Sequence, residues 1–248
     1  GMQAVRDDSP GTLADLNSRM IELDITNKAG TSLLIVAIAN RKAATALYLA
    51  EYTRKLNEAD SNGKNALMHS LAMGYKDVSR SLLKRGIKLD HLDTGGNSAL
   101  HYAVASCDND IVAEMIDKGA DIFAVNNFAR GMMHVAAENS NEVIFPTLIA
   151  NGCDVNQEDI RGNTALHLAA KANNFTILQA LLTNGADFAV RNMQGKVAAD
   201  LATSHEAAQL LRNRFEIEGS NPAKRALPAE VRTMTTPTRD LVEQRDAR

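Results

Sequence analysis

Tryptophan is absent from this chain, and Phe and Tyr bring the aromatic residues to only 4 %. That composition fits thin helical layers in which Ala and Leu set the spacing and large rings would not fit. Two cysteines, Cys107 and Cys153, are too few for a disulfide framework and point to a reducing compartment. No apolar run reaches the roughly 18 residues that would span a membrane. No charged-then-apolar stretch at the start reads as a secretory signal. Gly1 ahead of Met2 reads as a protease-cleavage remnant, which leaves the natural start open. No glycine-rich phosphate loop is present either, since Gly95-Gly96 fits a turn and not a G-x-G-x-x-G pattern. The formal net charge is −3 and no basic stripe exists, so nucleic acid is not an expected partner.

What the chain does have is a period. Gly30, Gly63, Gly96, Gly162 and Gly195 share one phase of 33 residues, with Ala129 in the remaining slot. Three residues before that slot stands a short polar side chain each time: Asn27, Asp60, Asp93, Asn126, Asp159 or Asn192. His101, His134 and His167 follow the slot by five residues in the middle repeats. A fixed period in this range decides the architecture by itself. The clearest copy, Asp159–Ala170, reads D-I-R-G-N-T-A-L-H-L-A-A and resembles the ankyrin repeat, as does the A-L-L-T-N-G-A-D that follows. The resemblance covers about residues 24–215 without insertion or deletion. It implies an all-α ankyrin-repeat solenoid of stacked helix–turn–helix layers with short finger loops, in which no repeat buries its apolar face alone.

The chain divides accordingly. Residues 1–11 are a lead-in with the cleavage remnant, of which 3–11, with Pro10 and Gly11, read as frayed. Residues 12–23 place Leu13, Leu16, Met20 and Leu23 at helical spacing behind Thr12 as N-cap, a half-cap in the phase of an outer helix. Six repeats occupy about 24–215. Residues 216–248 carry Pro222, Pro228 and Pro237 and read as a flexible tail; from Gly219 on it has six basic and four acidic residues. Gly86, Gly119, Gly152 and Gly185 fall just past the outer helices, where a left-handed residue closes a helix.

Repeat four (126–158) breaks the pattern. Ala129 replaces the turn glycine, Gly131 the threonine and Met132 the proline. Pro146 falls inside the expected outer helix, where it would cost about 3 kcal/mol or force a kink. Its finger is expected to depart from its neighbours, Ala129 either holding a strained positive φ or forcing a different turn. This is either drift in a tolerant array or a site, since functional positions are where local consistency fails.

No residue pattern points to catalysis, a cofactor or a metal. Equivalent helices in adjacent layers lie about 8–10 Å apart, beyond what Zn–N bonds of about 2.0–2.1 Å allow for the three motif histidines. The resemblance assigns those imidazoles to hydrogen bonds within the turn, with Ser98 or Thr164. Cys107 follows His101 by six residues, a spacing that leaves a chance Cys/His pair open. Leu148 with Asp154-Val155-Asn156 is compatible with asparagine hydroxylation as ankyrin repeats undergo it.

The resemblance implies a non-catalytic scaffold that binds another protein through finger tips and the concave face of the inner helices. Carried over residue by residue, the candidate partner-binding residues are Tyr102, Phe128, Arg130, Val135, Ile160, Arg161, Leu168 and Met193. The apolar members are expected to form one exposed stripe across repeats three to six. Exposed contiguous apolar surface marks interaction sites. A monomer is expected, in the cytoplasm, with neither nucleic acid nor membrane as partner. The alternatives are a regulatory or substrate-recruiting domain of a larger enzyme, or a secreted bacterial effector acting in a host cytosol.

Overall fold

A computed structural model describes Met2 and residues 6–18 and 23–219. Six layers follow one another in chain order. The inner and outer helices are α2 (Leu33–Ala39) and α3 (Ala43–Tyr52), α4 (Ala66–Ala72) and α5 (Lys76–Lys84), then α6 (Ala99–Ala105) and α7 (Asn109–Asp117). They continue with α8 (Met132–Glu138) and α9 (Phe145–Ala150), α10 (Ala165–Ala172) and α11 (Phe175–Thr183), α12 (Ala198–Leu201) and α13 (His205–Gly219). Among the described residues the only β-pairing is three isolated bridges at the feet of fingers one to three, Thr26 with Ser32, Ala59 with Asn65 and Leu92 with Ser98. A first helix, α1 (Pro10–Ser18), packs on α3 and covers the first layer.

The short inner helices begin the same way. Asn65 accepts the backbone N–H of Met68 and Ser32 that of Ile35, each side chain satisfying a donor the first turn leaves free. Their buried faces are aliphatic: Leu67, Leu71, Leu100, Val104, Leu166 and Ala170 meet Leu82, Ile111, Val112, Leu178 and Leu181 of the outer row in one continuous core. Each layer shares that core with its neighbours, so stability is a nearest-neighbour property.

Four expectations are corrected here. The lead-in is not frayed at Pro10, which opens α1; proline at a first helical turn loses no bond, because its missing N–H had no partner. Asp8 also accepts the N–H of Thr45 at the start of α3. Pro146 does not lie in the interior of its α-helix; the first turn expected there is replaced instead. Glu142–Ile144 form a 3₁₀ turn, and α9 starts at Phe145 with the proline in its first turn. Large rings do fit: Phe145 is fully buried, in the layer whose outer helix is shortest. Finally, repeat four keeps the standard finger in shape, and Ala129 takes the strained positive φ that was one of its two expected outcomes, as described below. Met20 of the expected half-cap and the tail from residue 220 onward lie outside the described residues.

The closing glycines behave as expected: Gly86, Gly119, Gly152 and Gly185 have φ between +76° and +87°. A second left-handed slot ends the inner helices, and it is not reserved for glycine. Arg41, Gly74, Cys107, Ser140 and Asn173 occupy it with φ from +52° to +70°. Four of the five carry a Cβ in a region that suits glycine and, less well, asparagine. The signal was in the sequence, as a 33-residue column without a common residue type.

Candidate functional site

The finger is built by one side chain. In all six repeats the short polar residue uses Oδ1 to accept two backbone N–H groups, two and four residues on. Asp93 takes Gly95 and Asn97 at 2.8 Å each, and Asp159 takes Arg161 at 2.8 Å and Asn163 at 2.9 Å. Asn126 does the same for Phe128 at 2.9 Å and Arg130 at 3.1 Å. Asp and Asn serve equally because only one carbonyl-like oxygen is needed. The slot glycine follows at positive φ, +76° at Gly96, and Ala129 holds +54° in the same turn. Repeat four therefore adopts the common finger and carries backbone strain of about 1–2 kcal/mol in place of a new shape. At Gly96 no such tolerance exists, since a Cβ would stand 2.4 Å from Asn127 Oδ1.

Successive fingers are joined through the backbone. Thr94 donates to the Asn62 carbonyl at 3.0 Å, Asn127 to Gly95 at 2.9 Å, Ile160 to Phe128 at 3.0 Å and Met193 to Arg161 at 2.9 Å. The three motif histidines add a second set of ties. Nδ1 of His101 and His167 accepts the backbone N–H of Ser98 and Thr164, with the hydroxyl also at 2.9 Å and 3.0 Å. Their Nε2–H then reaches the next repeat, donating to the carbonyls of Arg130 at 3.2 Å and Lys196 at 3.1 Å. His134 donates likewise to Asn163 at 3.0 Å. Sequence reasoning gave the bond within the turn and missed the one between layers. Burial lowers all three imidazole pKa values, and the acceptor carbonyls only partly offset it, so the rings are neutral.

The eight candidate residues separate into three groups. Phe128, Ile160 and Met193 are exposed at finger tips four to six, at 52 %, 47 % and 79 %, with Arg161 exposed beside them. Tyr102 and Arg130 are half-buried and already engaged. The Tyr102 hydroxyl donates to Asp93 Oδ2 at 2.6 Å, and Lys64 lies over its ring at 5.0 Å. Arg130 pairs with Glu138 at 2.8 Å and with the buried Asp159 at 3.3 Å. Val135 and Leu168 are buried in the core at 8 % and 9 %. The expected single apolar stripe is thus absent: its inner-helix members pack, and only the tips project.

In repeats two and three the inner-helix side instead carries polar pairs that sequence reasoning did not find. Asp60 Oδ2 lies 2.9 Å from His69 Nε2, as Asp93 Oδ2 lies against Tyr102. Both pairs are nine residues apart, a spacing readable in the repeat alignment. Burial alone would raise the Asp93 carboxyl. Hydrogen bonds from Tyr102, Asn97 and Gly95 together outweigh it and hold the group below its ordinary value. Burial and the Asp93 carboxylate push the Tyr102 phenol up.

Cys107 forms no pair with His101, both of whose nitrogens are taken; its Sγ faces the carbonyls of Ala105 and Asn139. Asn156 is engaged on both sides of its amide, accepting from Asp187 at 2.7 Å and donating to Gly185 at 3.3 Å. Among the described residues no group of His, Cys, Asp and Glu could hold a metal, and no helix is long and apolar enough to cross a membrane.

Comparison with known proteins agrees with this geometry. A family model of three ankyrin repeats matches residues 2–93 and 132–221, and a single ankyrin repeat matches residues 95–127. No curated protein matches the chain. Among solved structures, the ankyrin repeat domain of human ASB11 is similar, with TM-score 0.74 and 23 % identity over 86 % of this chain and 96 % of that one. The ankyrin repeat domain of Bcl-3, a member of the IkappaB family, is similar with TM-score 0.65 and 24 % identity over 84 % and 96 %. At these identities the likeness is one of fold.

Proposed function

The chain belongs to the ankyrin repeat family, a general protein–protein interaction module, and on that premise we propose that it is a non-catalytic scaffold that binds another protein through finger tips four to six. The observation that supports this reading is the exposed row Phe128, Ile160 and Met193. The backbone ladder fixes their spacing before any partner arrives. Phe, Met and Arg are among the residue types enriched at protein interfaces. A frame already rigid in the free protein keeps the ordering cost of binding low. The scaffold works as a monomer in a reducing cytosol, where Cys107 and Cys153 remain free thiols.

Affinity capture with the full chain, run beside a Phe128→Ala/Ile160→Ala/Met193→Ala variant, tests the reading. A partner held by the wild type should be lost from the folded variant. Titration of that partner should show each single change weakening binding by more than about 1 kcal/mol. Equal capture by both proteins would refute the assignment to the tips.

A further inference from the structure

We infer that the chain has a second docking surface: a groove along the segments leading from the outer helices into fingers four to six, shaped for an extended partner segment that carries a large apolar side chain beside Lys or Arg. The groove has a volume of about 1120 Å³, and its lining contains neither the tips Phe128, Ile160 and Met193 nor His69 and Tyr102 of the inner-helix side. Phe123 and Val125 lie on its apolar side, 62 % and 44 % exposed.

The irregular residues of repeat four converge on it. Ala129, Gly131, Met132 and the adjacent Met133 all line the groove. Gly131 matters for space, not for backbone freedom, because its φ of −93° suits any residue. A Cβ there would stand 2.7 Å from Gln157 Oε1, a side chain that also lines the groove. The Ser98 and Thr164 of repeats three and five could not be accommodated at this point without moving Gln157. All three departures of repeat four thus lie on the groove, and the buried Met132 and Met133 are side chains that adapt to an incoming shape.

Charge identifies the occupant. Asp154, Glu158 and Asp187 line the groove against a single cation, Arg191, whose Nη1 is already donating to the Gly195 carbonyl at 2.7 Å. Asp154 and Asp187 each spend one oxygen on a backbone N–H, that of Asn156 and of Ala189, at 2.8 Å. Among the described residues none of the three carboxylates has a cationic partner within ion-pair distance. Gly152, just past the C-terminal end of α9, lines the groove as well, and a helix C-terminus favours cations. Three successive connecting segments contribute, at residues 122–125, 152–158 and 187–191. Layers about 8–10 Å apart make this a track for roughly five or six extended residues at about 3.3 Å each. A buried apolar anchor then supplies affinity and the carboxylates supply selectivity for basic neighbours.

The test pans a display library of random twelve-residue segments against the full chain, with the folded Phe123→Ser/Asp154→Asn/Asp187→Asn variant as counter-selection. Segments with Lys or Arg within three positions of a Phe, Leu, Ile or Met should be enriched. The best of these, synthesised and titrated, should bind the variant at least tenfold more weakly and lose affinity as salt is raised. Its affinity for Phe128→Ala/Ile160→Ala/Met193→Ala should be unchanged, which separates this surface from the tips. A Val125→Ser/Glu158→Gln protein provides the same comparison should the triple variant fail to fold. Enrichment of acidic or uncharged segments, equal binding to wild type and variant, or no enrichment at all would overturn the proposal. So would a gain of tenfold or more in affinity on removing residues 220–248, since the chain's own tail would then be the occupant.

Discussion

His134 Nε2 lies 3.0 Å from the carbonyl oxygen of Asn163, 29 residues on, so one imidazole both starts a helix in layer four and holds the finger of layer five. Only a ring with Nε2 protonated and Nδ1 free can do this, because Nδ1 accepts the Gly131 N–H. Histidine is the side chain that presents a donor and an acceptor on opposite edges of one rigid ring.

A pH dependence follows. With His101, His134 and His167 held below the ordinary histidine value of 6.5, the unfolded chain binds more protons than the folded one between the two values. The stability contributed by neutral rings is complete above pH 6.5 and is lost as pH falls below it. Each ring can add a slope of up to about 1.4 kcal/mol per pH unit. Urea melts from pH 8 to pH 5 should show the midpoint falling below about 6.5, with a smaller fall in His134→Gln. The carboxylates Asp60, Asp93 and Asp159, held low, should add a separate loss only below their ordinary value of 3.8.

Ala129→Gly should stabilise the array by up to about 1 kcal/mol, since strain of about 1–2 kcal/mol is relieved and part of it returns as glycine chain entropy. Gly96→Ala should cost clearly more than Ala129→Gly gains, because a Cβ there also meets Asn127. Chemical melts of both variants decide the matter, and a neutral Gly96→Ala would contradict it.

The second left-handed column makes an independent claim. Ser140→Gly and Arg41→Gly should each raise stability by roughly 0.5–1 kcal/mol, whereas Gly74→Ala should lower it. Asn173→Gly should change it least, because asparagine already tolerates this conformation.

Pro146 supplies a sharper contrast. Inside a helix its removal would recover about 3 kcal/mol. At the first turn of α9 Pro146→Ala should instead lower stability slightly, by less than about 1 kcal/mol, through a freer unfolded chain. A thermal melt separates the two signs.

Among the candidate binding residues, burial predicts two kinds of variant. Phe128→Ala, Ile160→Ala and Met193→Ala should change stability by about 0.5 kcal/mol or less. Leu181→Ala, at a fully buried position, should cost about 2–5 kcal/mol. Val135→Ala and Leu168→Ala should fall on the Leu181 side of that division, with partner binding intact in the molecules that remain folded.

Much of this protein is local, and local chemistry was legible. An Asp or Asn whose oxygen takes two nearby N–H groups, a glycine at positive φ and a capping His are all specified within nine residues of one another. Repetition at a fixed period then dictates stacking, because no single helix pair can bury its own apolar face. The sequence by itself therefore determined the solenoid, its finger turns, its closing glycines and the projection of Phe128, Ile160 and Met193. Only the tertiary structure decided which inner-helix residues stay exposed, that Arg130 reaches Asp159, that His134 ties two layers, and that Gly131 gives Gln157 room at the groove. The three named contacts join residues 26 or 29 positions apart, from one repeat to the next or from a finger to the segment that ends its own repeat. Their distances depend on how one layer sits on the next, and that rotation is set by the summed packing of both faces, which no one repeat's residues record.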